Sequence, residues 1–206
     1  MSEMKPVCSA IHIVCCFLLY FTVLGPVQAR SQSVSDIAEK SLESTLMIVV
    51  TDRNGEWLST GSGFSVTTSE VVTNFHVISE AEHAFVRRVG TKDQLTILEY
   101  VAIDEANDLA ILRIDTDELV PLVIGNSDEL SIGQTVYAVG NPRGFEGTFS
   151  SGIVSSIRHF DEFEILQITA PISPGSSGGP IIDASGLVVG VAVSTYTEAQ
   201  NLNFAV

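Results

Sequence analysis

Cysteine is almost missing from this sequence, and where it occurs it can do little for a fold. The 206 residues hold three, Cys8, Cys15 and Cys16, all near the N-terminus. A chain that sheds its leading segment would keep none, which excludes a disulfide framework and any thiolate chemistry. Positive charge is scarce as well: 10 Lys and Arg stand against 25 Asp and Glu, for a net charge of −15. A chain of that sign repels phosphate backbones, so nucleic acid is not expected as a partner. The acidic residues are spread out rather than run together, as a solvated surface requires. Charged residues amount to 17%, below the usual quarter or so. An apolar share of 45% is left to fill a core, and the abundance of Gly, Ser and Thr suits β-structure with many turns.

The one extended apolar run, Ile11 to Leu24, is short for a membrane span, which needs about 20 residues. Lys5 precedes it, Pro26 breaks it, and Val27-Gln28-Ala29 supplies small residues at the −3 and −1 positions of a cleavage site. This is the pattern of a signal peptide over residues 1–29, with a mature chain from 30 to 206. Membrane contact would follow only if that segment stayed uncleaved. Export without cysteines fits a bacterial envelope, so a periplasmic or secreted location is expected.

Asp36 to Ser44 reads as a short helix, with Asp36 as cap and Glu39 three residues on. Beyond Thr45 short apolar runs alternate with turn residues. Strands are expected at Leu46–Thr51, Gly63–Thr67, Val71–Thr73, Ala84–Val89, Leu95–Asp104, Leu109–Ile114, Thr135–Val139, Gly152–Ile157, Ile165–Thr169, Pro180–Asp183, Val188–Val193 and Asn203–Val206. Asn54-Gly55 marks a hairpin turn. Many short strands at close spacing predict an all-β sandwich or barrel, with a divide between two β-rich halves near 121–131.

The chemistry concentrates in three places. Gly175-Ser176-Ser177-Gly178-Gly179-Pro180 offers a serine flanked by glycines. A serine hydroxyl needs a base beside it to act as a nucleophile, and glycines let the backbone turn and aim N–H groups at one spot. The same segment satisfies G-x-S-x-G, the elbow of an α/β-hydrolase. That elbow requires a helix after the serine, where Gly-Gly-Pro stands here, and a later histidine, where none follows residue 177. His83 and His159 lie in polar surroundings and read as surface residues. His76 lies in the segment Val71 to Ile78, at the end of an apolar strand, and needs partners to mean more than a strand-end histidine. Asp108 directly precedes the apolar run Leu109–Ile114, where a carboxylate needs a partner; Asp104 and Glu105 are its nearby rivals.

Taken together, Thr73-Asn74-Phe75-His76-Val77-Ile78, Asn107-Asp108-Leu109-Ala110-Ile111-Leu112 and Pro174-Gly175-Ser176-Ser177-Gly178-Gly179-Pro180 resemble the three catalytic segments of HtrA/Deg-type trypsin-like serine proteases, in His–Asp–Ser order. Gly61-Ser62-Gly63-Phe64, Gly140-Asn141-Pro142 and Gly152-Ile153-Val154-Ser155 agree with it, and the likeness runs from about Val34 to Val206. The resemblance implies an all-β, chymotrypsin-like double β-barrel with a short N-terminal helix. It implies His76 as general base, Asp108 as the group that orients it, Ser177 as nucleophile, and the N–H groups of Gly175, Ser177 and Ser176 as oxyanion hole. No metal and no organic cofactor is expected. Ile172 and Ala192-Val193-Ser194 would line the primary specificity pocket. No acid stands there, so a small or medium aliphatic P1 residue is expected rather than a basic one. Ser176 stands where the family carries Asn or trypsin Asp, so activation by an N-terminal ion pair is not expected. The likeness covers a protease domain with no PDZ domain, and implies polypeptide substrates and a homo-trimer.

The leading expectation is therefore a serine endopeptidase cleaving unfolded or exposed polypeptides, in protein quality control or processing of the cell envelope. The alternatives are a chaperone-like peptide binder or inactive protease homologue, which would hold extended peptides by strand addition, and an esterase of the α/β-hydrolase class.

Overall fold

A computed structural model describes residues 32–142, 145–160, 164–195 and 203–206. The segment read as a signal peptide lies outside the described residues. Helix α1 spans Val34–Ser44, and its cap is Ser33 rather than Asp36. The Ser33 hydroxyl accepts from the Asp36 N–H at 3.1 Å, and the Asp36 carboxylate takes the Ser33 N–H at 3.1 Å. Asp36 is thus the third residue of a capping box that begins one turn earlier than expected. Ile37 and Ser41 face inward.

Six strands follow: β1 Thr45–Thr51, β2 Trp57–Ser65, β3 Glu70–Asn74, β4 His83–Arg88, β5 Gln94–Asp104 and β6 Leu109–Ile114. They close into a barrel in the order β1-β2-β3-β6-β5-β4. Every residue of β1 is buried. Leu46 and Ile48 fill the barrel with Val71, Val86, Leu112 and Ile114, while the strand also abuts the later strand Thr135–Gly140. That double burial explains its unbroken apolar run. Strand β2 begins six residues earlier than expected, because Trp57 to Ser59 are exposed and carry no alternation to read. One turn of helix, α2 at Phe75–Ile78, holds His76 directly after β3.

The chain crosses to the second sheet between Ile114 and Val123. There β7 (Val123–Ile124), β8 (Thr135–Gly140), β9 (Thr148–His159), β10 (Glu164–Ile168), β11 (Pro180–Asp183), β12 (Leu187–Thr195) and β13 (Asn203–Ala205) run in the order β11-β8-β9-β10-β13-β12-β7. Pairing of β11 with β12 shuts six of them into a second barrel. The short β13 joins β10 on one side and β12 on the other. Val206 continues it through two hydrogen bonds with Val191, of 2.6 and 3.0 Å. Val136, Val154, Ile168, Ile181 and Ala205 pack inside.

A third apolar cluster lies between the barrels. It joins Ile37 of α1 and Phe64 of β2 to Tyr137, Val139, Ile182 and Val191 of the second barrel. Each such side chain buried contributes about 1.5–3 kcal/mol. This seam fixes the cleft in which residues of the two barrels face each other.

Candidate active site

The first barrel supplies an imidazole and a carboxylate. Asp108 sits in the tight connection between β5 and β6 with φ of +53°, the only described non-glycine residue at positive φ. An L-residue with a short polar side chain reaches that region when local hydrogen bonds hold it. Here the Asp108 carbonyl accepts the Phe75 N–H at 3.1 Å and the Asn74 Nδ2 at 2.9 Å. Its carboxylate then points at His76: Oδ1 accepts the His76 N–H at 2.8 Å, and Oδ2 lies 2.6 Å from Nδ1. A carboxylate only accepts, so Nδ1 carries the proton and Nε2 is left with its lone pair. The Asp104 carboxylate is spent elsewhere. It takes the Asn107 N–H at 3.1 Å and Nδ2 at 2.7 Å, which hold it below the usual carboxylate range.

The second barrel supplies the serine turn, between Ile172 and β11. Pro174 and Gly175, the latter at φ of +95°, form a tight turn closed by the Ser176 N–H on the Ser173 carbonyl at 2.8 Å. The Ser176 N–H, one of three groups expected to face an oxyanion, is thereby committed to the turn. The Gly175 and Ser177 N–H groups have no acceptor among the described residues. Gly178, at φ of +86°, lies so close to the first barrel that a Cβ would overlap the Ser62 carbonyl oxygen and Thr73 Oγ1. The glycine after Ser177 is thus dictated by contact between the barrels as well as by its dihedral angle. Ser177 Oγ donates to the Val193 carbonyl at 2.8 Å, and no bond links it to His76.

The residues expected to shape specificity divide. Ile172 is buried, and both it and Ala192 belong to the core cluster of the second barrel. Val193 is half-buried and acts through its carbonyl. The Ser194 side chain lies outside the described residues. A cavity of about 90 Å³ runs behind the turn, along Ser173, Ser176, Ala192 and Gly140. A wider apolar groove of about 350 Å³ borders Val193, with Ile165, Phe204 and Val206 along it and Arg158 as the one charged group among its described lining residues.

Ser62 gave no signal as a site residue in the sequence. It was legible only as part of a Gly-Ser-Gly-Phe match, because a serine in a strand is common. In the structure it is fully buried and bonds to the Gly175–Ser177 turn through both main chain and side chain.

The architecture is that of the chymotrypsin-type, double-barrel class. Residues 61–191 match the family model described as trypsin-like peptidase domain. A probable periplasmic serine endoprotease, DegP-like, from Hahella chejuensis is 38% identical over 156 residues, covering 72% of this chain and 33% of that protein. Protease Do-like 5, chloroplastic, from Arabidopsis thaliana is 36% identical over 205 residues, covering 87% of this chain and 64% of that one. The crystal structure of Deg5 superposes with a TM-score of 0.71 at 33% identity, covering 84% of this chain and 87% of that chain. The HtrA-type protease AlgW with tripeptide gives 0.75 at 28%, covering 85% and 60%. The chain belongs to the trypsin-like peptidase family, as one of its HtrA/Deg-type serine proteases. It spans about a third of the length of the bacterial relative and about two thirds of the plant one.

Proposed function

We propose that this chain is a serine endopeptidase that cleaves unfolded or exposed polypeptides, with Ser177 as nucleophile, His76 as general base and Asp108 as the group that orients it. The observation that carries the reading is the 2.6 Å contact of His76 Nδ1 with Asp108 Oδ2. It fixes the imidazole tautomer whose Nε2 can accept a proton. The Ser177 hydroxyl leaves the Val193 carbonyl, turns to Nε2 and attacks the scissile carbonyl carbon as its proton passes to His76. The Gly175 and Ser177 N–H groups take the developing oxyanion; one such donor is worth roughly 10²–10³ in kcat. His76 then protonates the leaving amine, the C–N bond breaks, and water repeats the sequence to release the acid.

Substrate class and place follow the same reading. The groove beside Val193 is apolar, and Arg158 repels a basic side chain, which supports a small or medium aliphatic P1 residue. Relatives named as periplasmic support quality control or processing in the cell envelope, with 1–29 as export signal; the chloroplastic relatives make an organelle the other location. Polypeptide substrates and a homo-trimer come from the family resemblance, and sedimentation of the native protein reads the trimer.

A fluorophosphonate probe and unfolded casein test the activity. Labelling and cleavage by the native chain, both lost in Ser177→Ala, are the expected result. A native chain that neither labels nor cleaves, yet captures unfolded casein, overturns it in favour of a peptide-holding homologue. The parked Ser177 hydroxyl is the observation on that side.

A further inference from the structure

We propose that Ser62 is a positioning residue for the oxyanion hole, holding both residues that present its N–H donors; this rests on the serine-peptidase reading above. Ser62 lies in β2 of the first barrel, opposite Met47 of β1, and is fully buried. Its hydroxyl donates to the Gly175 carbonyl at 2.7 Å. It accepts the Asn141 N–H at 2.9 Å and the Asn141 Nδ2 at 3.3 Å, so its one donor and both lone pairs are used. Its own N–H donates to the Ser177 carbonyl at 2.8 Å. Its carbonyl accepts Thr73 Oγ1 at 2.7 Å, and Thr73 is three residues before His76 in the chain.

The two carbonyls that Ser62 holds belong to the two residues whose N–H groups are free. Gly175 has no Cβ and sits at positive φ, so the turn alone restrains its two peptide planes weakly. With its carbonyl fixed to Ser62 Oγ, the Gly175–Ser176 peptide is set in place, and the Ser177 carbonyl bond sets the plane beyond the nucleophile. Asn141 fixes the hydroxyl in turn, its Nδ2 also donating to the Leu46 carbonyl at 3.0 Å. Ser62 thus joins the nucleophile turn of one barrel to the strand of the other that leads into His76. It touches no reacting atom; it acts through Gly175 and Ser177.

Ser62→Ala keeps the main-chain bonds and removes the hydroxyl. The full chain and this variant are compared after active-site titration with a fluorophosphonate, on a peptide substrate with an aliphatic P1 residue and with the matching peptide boronate. The expected result is a fall in kcat of about 10–100-fold at KM within threefold, because donor alignment matters at the transition state. The boronate, whose tetrahedral adduct uses the same donors, should lose affinity by a similar factor. A hydroxyl that only supports folding would lower the unfolding temperature and leave kcat per titrated site within threefold of native; that result overturns the proposal. If Ser62→Ala does not fold, Ser62→Cys, which keeps the side-chain size, carries the same thresholds. A native chain that does not label overturns the peptidase reading and this role with it. A native chain that labels, beside a Ser62 variant of unchanged kcat, overturns this role alone.

Discussion

Ser177 Oγ gives its hydrogen bond to the Val193 carbonyl, while His76 Nε2 has no partner among the described residues. The resting hydroxyl is held by a neutral, half-buried contact worth about 1 kcal/mol. Ser177→Ala should therefore unfold in urea within about 1 kcal/mol of the native chain while losing all fluorophosphonate labelling. A large loss of stability would mean that the hydroxyl has a structural duty the contacts do not reveal.

Asp108 combines two demands, a carboxylate on His76 and a backbone at φ of +53°. Asn meets the second but not the first. Asp108→Asn should keep the melting temperature within a few degrees, with kcat down about 10⁴-fold as the wrong tautomer becomes available. Asp108→Ala should show the same kinetic loss and a further destabilisation of about 1–2 kcal/mol from the left-handed backbone. Steady-state kinetics beside thermal melting separate the two effects.

At Gly178 the strain is steric. A methyl group there meets the Ser62 carbonyl and Thr73 Oγ1 across the barrel interface, at a positive φ. Gly178→Ala should cost on the order of 3 kcal/mol by urea unfolding and abolish casein cleavage, because relief requires the Ser177 turn to move away from the first barrel.

Asp104 gives the acid limb of stability a known direction. Its side-chain and main-chain bonds from Asn107 hold its folded pKa below the ordinary carboxylate value. Its contribution is thus complete above the unfolded pKa, about 3.9, and is lost as pH falls through the lower folded value. Asp104→Asn should flatten the fall in urea midpoint between pH 5 and pH 3 relative to the native chain. An unchanged slope would deny Asp104 a share in acid unfolding.

Phe64 stands in the seam between the barrels, 1% exposed. Phe64→Ala should cost about 3–5 kcal/mol. Casein cleavage at a temperature where the variant is still folded should fall as well, since the seam sets the cleft.

Much of this arrangement was legible before any coordinates. The strands with continuous apolar runs, such as β1 and β6, fell where expected because burial writes itself into composition. The exposed half of β2 was missed because exposed strand residues carry no alternation, and the early part of β9 because Phe149 is the one apolar residue among Thr148 to Ser151. The helix cap shifted from Asp36 to Ser33 because both residues suit a cap, and the geometry chose the reciprocal pair. His76, Asp108 and the Ser177 turn stood out through residue type and order. Asp108 already stood above Asp104 and Glu105 in the sequence because it directly abuts the apolar run; the structure adds that Asn107 occupies the Asp104 carboxylate. Ser62 and the Val193 carbonyl were invisible for a common reason: a buried strand serine and a main-chain oxygen acquire chemistry only from what a distant segment places against them. Ile172, expected at a pocket wall, turned inward because an isoleucine beside the second core gains more from burial than from lining a cleft.

The second barrel is shut by the three residues of β13, which join β10 to β12, with Val206 pairing to Val191. Without them β10 and β12 would keep open edges, and the wall that carries Val193 would have no neighbour on one side. The first barrel closes through its own six strands, so the side of the cleft that holds His76 and Asp108 can be complete while the side that holds Ser177 still waits for three residues.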